Sequence, residues 1–280
     1  MIKRIAAGIM PRLLQKVPKN KRWLYPFWLA GQLDLTEEEY LSPSLPEAFD
    51  GLNLAFASDI HFGPLFHREE ADRLIRMLLS IQADLILLGG DYGNELSNSI
   101  AFFQHIPAFS PVTPVLAVLG NHDYGKPGES LKPLFNAMRE KNVIPLVNKA
   151  YSLIRGNKQL AILGPDDVKC GKPDFEPLKE AAEAADFSVF IPHSPDIIPL
   201  AQEAELPFDL AICGHTHGGQ IVFFGRSPHA SSIYGDRFRT GWIRENDQDI
   251  LVSNGVGTSI LPMRIGTRPQ IHRITLRREV

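Results

Sequence analysis

Five apolar runs end on side chains that bind metals: residues 52–61 (LNLAFASDIH), 83–94 (ADLILLGGDYGN), 115–123 (VLAVLGNHD), 187–194 (FSVFIPHS) and 208–219 (FDLAICGHTHGG). Together they carry Asp59, His61, Asp91, Asn121, His122, His193, His215 and His217. Imidazole nitrogens, carboxylate oxygens and one amide oxygen form a donor set suited to divalent first-row metals. Asp59 and His61 are spaced so that, on an extended segment, both project to the same side and reach one ion. Asp91 follows two glycines, which let the backbone bring a carboxylate close to a ligand. Asn121, His122 and Asp123 place an amide, a titratable ring and an acid in consecutive positions, and glycines flank His215 and His217.

Elements must exist to bring these ends together. A strand buried on both faces reads as a continuous aliphatic run, and ligand sites of layered α/β proteins gather beyond the carboxyl ends of such strands. The first core strand is expected at residues 52–58. Helical spacing of Leu74, Ile75, Leu78 and Leu79 predicts a helix over 67–81, with further helices at 98–105, 129–141 and 175–185. Strand-like runs continue as QIVFF, DILVSN and QIHRITL toward the end of the chain. Helices alternate with strands early and strands dominate late, which predicts two packed mixed β-sheets flanked by helices. The acidic, proline-bearing stretch LDLTEEEYLSPSLPEAFDG reads as a connector, so residues 1–50 form a leader and linker and 51–280 the catalytic domain.

With 280 residues and a formal charge of −3, the chain can bury one large core and gives no overall reason to expect nucleic acid. Only Cys170 and Cys213 are present, too few for a disulfide framework, so a reducing, cytoplasmic setting is expected. No run reaches the roughly 18 to 20 apolar residues that span a bilayer. The first thirty residues are distinctive. Lys3, Arg4, Arg12, Lys16, Lys19, Lys21 and Arg22 precede the first acid, Asp34, and Trp23, Tyr25, Phe27 and Trp28 follow them. Basic residues beside aromatic rings suit an anionic membrane surface, met peripherally on the inner face of the cell membrane. The alternative is a leader whose rings pack on the domain.

The ordered set of Asp59-Ile60-His61, Gly90-Asp91, Gly120-Asn121-His122-Asp123, His193 and Gly214-His215-Thr216-His217 resembles the calcineurin-like metallophosphoesterases, from about residue 52 onward. Residues 214–220 (GHTHGGQ), the Tyr234-Gly235 turn and residues 254–269 (NGVGTSILPMRIGTRP) are similar to a bacterial branch that includes membrane-associated phosphodiesterases and a UDP-2,3-diacylglucosamine pyrophosphatase. The resemblance implies an α/β (α+β) four-layer sandwich of two mixed β-sheets flanked by helices, holding two divalent ions. Manganese is the first choice, with iron, zinc, nickel and cobalt as alternatives. It further implies that Asp59, His61 and His217 hold one ion, that Asn121, His193 and His215 hold the other, and that Asp91 bridges them. His122 is then the proton donor or transition-state stabiliser, oriented by Asp123. Many relatives carry a second acid shortly after the bridging aspartate, where this chain has Gly93-Asn94-Glu95.

The expected reaction is hydrolysis of a phosphodiester or pyrophosphate in a phosphorylated small-molecule or lipid-linked substrate such as UDP-2,3-diacylglucosamine. A nuclease or a phosphomonoesterase of the same superfamily is the alternative, and a non-catalytic metal-binding scaffold a more distant one. Residues 225–244 (GRSPHASSIYGDRFRTGWIR) follow the paired histidines closely. Guanidinium forks match phosphate oxygens, so Arg226, Arg237 and Arg239, with Tyr234, are candidate substrate contacts. Arg264 and Arg268 are further cations whose position the sequence leaves open.

Overall fold

The chain's short aliphatic runs assemble into two six-stranded sheets. The structure, a computed structural model, describes residues 25–228 and 231–279. Its strands are β1 (Asp34–Ser42), β2 (Asn53–Ala57), β3 (Leu85–Leu88), β4 (Val115–Ala117), β5 (Val143–Pro145), β6 (Lys149–Arg155), β7 (Lys158–Gly164), β8 (Phe187–Phe190), β9 (Leu210–Cys213), β10 (Gly241–Glu245), β11 (Gln248–Val252) and β12 (Gln270–Arg278). One sheet runs β1-β12-β2-β3-β4-β5 and the other β10-β11-β9-β8-β7-β6. Strands β2 to β5 are mutually parallel, as are β7, β8, β9 and β11, so their carboxyl ends lie at one edge of each sheet.

Alternation along each strand explains the layering. In β2, Leu54 and Phe56 point into the space between the sheets, where they meet Leu87, Leu116, Ile162, Val189 and Ile212. Ala55 and Ala57 face the other way, against helices α2 (Arg68–Ser80), α3 (Leu96–His105) and α4 (Lys132–Glu140). The second sheet turns Ala161, Phe190 and Ala211 toward α5 (Glu176–Glu183) and α6 (Ile198–Glu203). A short helix, α1 (Tyr25–Ala30), precedes β1. The result is the four-layer arrangement expected, helices outside and two mixed sheets within.

Three expectations are corrected. Residues 34–42 do not form a connector: they are β1, an edge strand in parallel register with β12. Its acidity has a partner across the strand. Glu37 pairs with Arg273 at 3.0 Å, Glu39 with Arg277 at 3.3 Å, and Asp34 with Arg268 at 3.0 Å. Opposite charges, directly opposite for Glu37 and Arg273 and offset for the other two pairs, support an edge strand that would be poor in isolation. Secondly, QIVFF is not a strand but a turn, with isolated bridges from Ile221 to Ile265 and from Phe223 to Arg226. Phe224 and Gly225 adopt φ of 50° and 78°, which ends any extended run. Thirdly, the expected helix over 129–141 begins only at Lys132, with Pro133 in its first turn.

The leader's basic residues and Trp23 lie outside the described residues. Its described end is docked: Leu29 is buried, and the Pro26 carbonyl accepts from the Arg264 amide at 2.9 Å. Among the described residues no helix is long and apolar enough to cross a membrane.

Arg264 fastens the late chain to the rest. Fully buried, its guanidinium donates to the carbonyls of Asn254 at 2.7 Å, Gly257 at 2.6 Å, Gly255 at 3.2 Å and His217 at 3.1 Å. A planar fork reaches all of these carbonyls, whereas a lysine ammonium has only three donors. Arg264→Ala should strand several buried carbonyls and cost at least ~3 kcal/mol, with Arg264→Lys recovering only part. Scanning calorimetry of the two variants checks this. Starting the chain at residue 50 should likewise destabilise it by about 3 kcal/mol or more, because deleting Tyr40, Leu45 and Phe49 uncovers the core they pack against, Ile274 and Leu276 included. Denaturant unfolding of that truncation, expected to show a lower midpoint than the full chain, measures it.

Candidate metal centre

The five chemistry-bearing strand ends meet at the carboxyl edges of both sheets. Pairing continues past the strands: Asp59 N–H donates to the Gly90 carbonyl at 2.9 Å, His61 N–H to Asp91 at 3.0 Å, and Gly214 N–H to His193 at 2.9 Å. Two bonds then stitch one sheet to the other. His193 Nδ1 lies 2.7 Å from the Gly89 carbonyl, and the His215 amide donates to the Asp59 carboxylate at 2.9 Å.

The side chains converge in three overlapping groups able to hold a cation: Asp59 with His61 and His217, His61 with Asp91 and His122, and Asp91 with His193 and His215. Asp91 Oδ2 stands between two sets, 3.6 Å from His61 Nε2 and 3.4 Å from His193 Nε2. Its other oxygen, Oδ1, accepts from the His122 amide at 2.8 Å. His217 Nε2 lies 3.5 Å from Asp59 Oδ1 and 3.0 Å from His61 Nε2.

Hydrogen bonds at the rear of the rings orient them. A carbonyl only accepts, so His193 carries a proton on Nδ1, toward Gly89, and turns Nε2 toward Asp91. His215 Nε2 lies 2.9 Å from the Ser231 carbonyl and also contacts Lys169 Nζ, and its Nδ1 is 3.1 Å from His193 Nε2. The facing nitrogens of the two rings converge with Asp91 on one point. The Asn121 amide oxygen is also buried with no hydrogen-bond partner. Both features fit a cation-binding centre, since a buried acceptor without a donor is otherwise costly.

Electrostatics agree. Burial lowers the pKa of His61 to about 4 and holds His215 and His217 well below the usual imidazole range, which keeps these rings neutral and their lone pairs available. For His193 burial acts in the same direction, but Asp91, Asp59 and Asp167 outweigh it and push the pKa up to about 10. Burial would raise Asp91, yet His193, His61 and His122 hold it well below the carboxylate range. Asp91 is thus an anion at any working pH.

Backbone conformation at the centre is unusual. Asp59, His61, Asp91, His215 and His217 all have φ between 53° and 68°, the left-handed region that residues other than glycine seldom enter. Close approach makes Gly120 necessary, because a Cβ there would stand 2.2 Å from Asp91 Oδ1.

His122 is half-buried, more open than the buried rings around it. Its Nδ1 lies 3.0 Å from the Asn94 carbonyl. Asp123 does not orient that ring, contrary to expectation. Its carboxylate accepts from the amides of Gly120, Asp91 and Tyr92 at 2.8 to 2.9 Å and from Ser99 Oγ at 2.6 Å, so it braces the turn carrying Asp91. Burial, then Asp91, raises the Asp123 pKa to about 7. Asn94 thus meets the ring through its backbone oxygen.

Several of the arginines are committed within the chain. Arg237 is paired with Glu245 and stacked 4.9 Å over Phe238, while Tyr234 packs against the same ring. Arg239 donates to the carbonyls of Gly218 at 3.0 Å and Gly225 at 3.2 Å. Arg264 is the buried brace described above, and Arg268 pairs with Asp34. Arg226 lies at the exposed Phe223 turn. Of the remaining histidines, His105 binds Asp72 at 2.9 Å and buried His272 binds Glu38 at 2.9 Å.

The sequence reading missed Asp167 and Lys169. Strand β7 is parallel to β8, so its end reaches the same rim. Asp167 is buried with Oδ2 unpaired, and Lys169 contacts His215 and donates to the Ser231 carbonyl at 3.1 Å. The signal was available: Leu160–Leu163 is a sixth aliphatic run, ending on Gly-Pro-Asp-Asp.

Known proteins are similar to this chain. The chain is 28% identical over 255 residues to an uncharacterised metallophosphoesterase, YkuE, of Bacillus subtilis, covering 88% of this chain and 86% of that one. It is 28% identical over 226 residues to the phosphodiesterase YaeI of Escherichia coli, covering 80% and 81%. A solved dimetal phosphatase from Danio rerio is similar with a TM-score of 0.46 at 11% identity, covering 81% of this chain and 99% of that one. Residues 52–219, which include every proposed metal ligand, match the model of the calcineurin-like phosphoesterases, and the chain belongs to that family.

Proposed function

We propose that the chain is a dinuclear-metal enzyme that hydrolyses a phosphodiester or pyrophosphate bond. The observation carrying this reading is Asp91 Oδ2, placed between His61 Nε2 and His193 Nε2 at 3.6 and 3.4 Å, so that one carboxylate serves two ligand sets. In this reading Asp59, His61 and His217 take one ion, Asn121, His193 and His215 take the other, and Asp91 bridges. Manganese is the first choice of metal. Such ions supply a water acidic enough to ionise near neutral pH and offset the charge of the phosphate oxygens.

The chain's own groups account for the rest. With Nδ1 committed to the Asn94 carbonyl, His122 has Nε2 left to exchange a proton with substrate. Attack of hydroxide on phosphorus breaks the bond to the leaving oxygen, which takes its proton from His122. The His122 amide, bonded to Asp91 Oδ1, keeps that ring in register with the bridging carboxylate. Asp123 holds both segments by accepting from Gly120 and Asp91. The similarity to a named phosphodiesterase supports a diester as substrate. A lipid-linked or nucleotide-sugar compound such as UDP-2,3-diacylglucosamine, met at an anionic membrane surface through residues 1–30, completes the proposal.

His122→Ala should keep its metal and lose about 10²- to 10⁴-fold in turnover, whereas Asp91→Ala should lose metal as well as activity. Elemental analysis of the purified proteins alongside hydrolysis of bis-p-nitrophenyl phosphate checks both. Full activity in either variant removes the assignment. A panel adding p-nitrophenyl phosphate and UDP-2,3-diacylglucosamine tests the substrate class, with the monoester expected to be the poorest of the three.

A further inference from the structure

Beside His217 lies a cavity of about 250 Å³, lined by Thr216, Gln220, Ile221, Pro228, Ile260 and Leu261. His217 itself forms part of its wall and belongs to one of the cation-holding groups, so the cavity adjoins the metal centre. Apart from Thr216 and His217, these residues follow the segment that matches the family. The cavity approaches the size of small-molecule sites, which are mostly apolar with a few polar groups that orient the ligand.

Its wall offers little charge. Arg237 and Arg239 are committed to Glu245 and to backbone carbonyls, as described above. Gln220 is spent as well: its amide nitrogen donates to the carbonyls of Ser259 and Leu261, both at 3.0 Å, and its oxygen accepts from the Ser259 amide at 2.9 Å. This clamp holds Ile260 at φ 64° with 67% of its surface exposed. A β-branched residue in the left-handed region is a genuine outlier, and presenting its side chain to solvent gains nothing in folding. Phe223 and Phe224, just after Ile221 in the chain, are exposed too. Strain and exposure thus coincide on the apolar wall next to a catalytic centre.

The geometry points to an alkyl or acyl substituent of the phosphate substrate as the occupant of this cavity, making the enzyme selective for phosphoesters that carry an apolar group. This rests on the phosphoesterase reading, which handles the charged phosphorus at the metal ligands and leaves the neighbouring apolar wall to the esterifying group. Burying a chain there strengthens binding by up to about fourfold per methylene while the cavity has room.

Titration calorimetry of the metal-loaded protein with methyl-, butyl- and octylphosphonate tests it, together with hydrolysis of the matching alkyl p-nitrophenyl phosphodiesters. The butyl ligand is expected to bind at least about tenfold more tightly than the methyl one, with KM falling in parallel. Ile260→Asp, an exposed position, and Leu261→Ser should both flatten this dependence, with circular dichroism confirming the fold. Equal affinity across the three phosphonates overturns the inference even if every ester is cleaved. Absence of any hydrolysis overturns the phosphoesterase reading, while the titration still decides this one. Vesicle binding or dimer formation lost in Ile260→Asp, with no chain-length effect in the wild type, would assign the face to a bilayer or a second copy instead and also overturn it.

Discussion

Three carboxylates, those of Asp59, Asp91 and Asp123, are buried within one cluster, and most of the fold around them answers that constraint. Removing a carboxylate from water is costly unless donors or a cation compensate it. Asp123 is compensated by protein donors alone, three amides and the Ser99 hydroxyl. Asp59 takes the His215 amide, and Asp91 takes only the His122 amide through Oδ1, leaving Oδ2 toward the imidazoles. The gradient is informative. Asp59 and Asp91 have one backbone amide each, and Asp91 stands between His61 and His193, where a cation would complete its compensation.

Meeting that constraint shapes the backbone. Five ligand-bearing positions occupy the left-handed region, each at a cost of order 1 kcal/mol or more. Asp and His tolerate it better than most residues, and the glycines beside them allow the remaining close approaches. The cost is spread over loops anchored by strands whose apolar faces are fully covered. Bonds across the cluster, from His193 to Gly89 and from His215 to Asp59, make the site part of what joins the two sheets. Stability and function are therefore coupled here, and Arg264, remote from any substrate, bears on both by holding the His217 carbonyl.

The legible part of this protein was the part governed by periodicity and donor chemistry. Continuous aliphatic runs ending on Asp, Asn or His located the five rim segments, and the two-sheet layering followed from element order. What was illegible depended on partners distant in sequence. The acidity of residues 34–42 resembled a linker because its counter-charges, Arg273 and Arg277, lie more than 230 positions away. The brace on His122 could not be read because a main-chain oxygen, that of Asn94, does the work that a side chain was expected to do. Asp167 was missed for a different reason: the rule that found the other ends applies equally to Leu160–Leu163, but an acid four residues past the run looks like an ordinary turn.

The arginines mark the boundary between composition and role. A run of guanidinium groups next to a phosphoryl-transfer centre reads as anion recognition, since the fork geometry matches phosphate. The same fork also matches rows of carbonyl oxygens, and where loops must be buried without regular pairing that second use competes with the first. Residues 214–219 and 253–257 form such loops, bending sharply around the ligands and leaving carbonyls that no strand partner takes. Arg239 and Arg264 satisfy them at Gly218, His217, Asn254 and Gly257. Holding these loops in left-handed turns thus commits Arg239 and Arg264 to backbone oxygens. The late loops are left presenting exposed apolar side chains, Phe223, Phe224 and Ile260, beside the exposed Arg226.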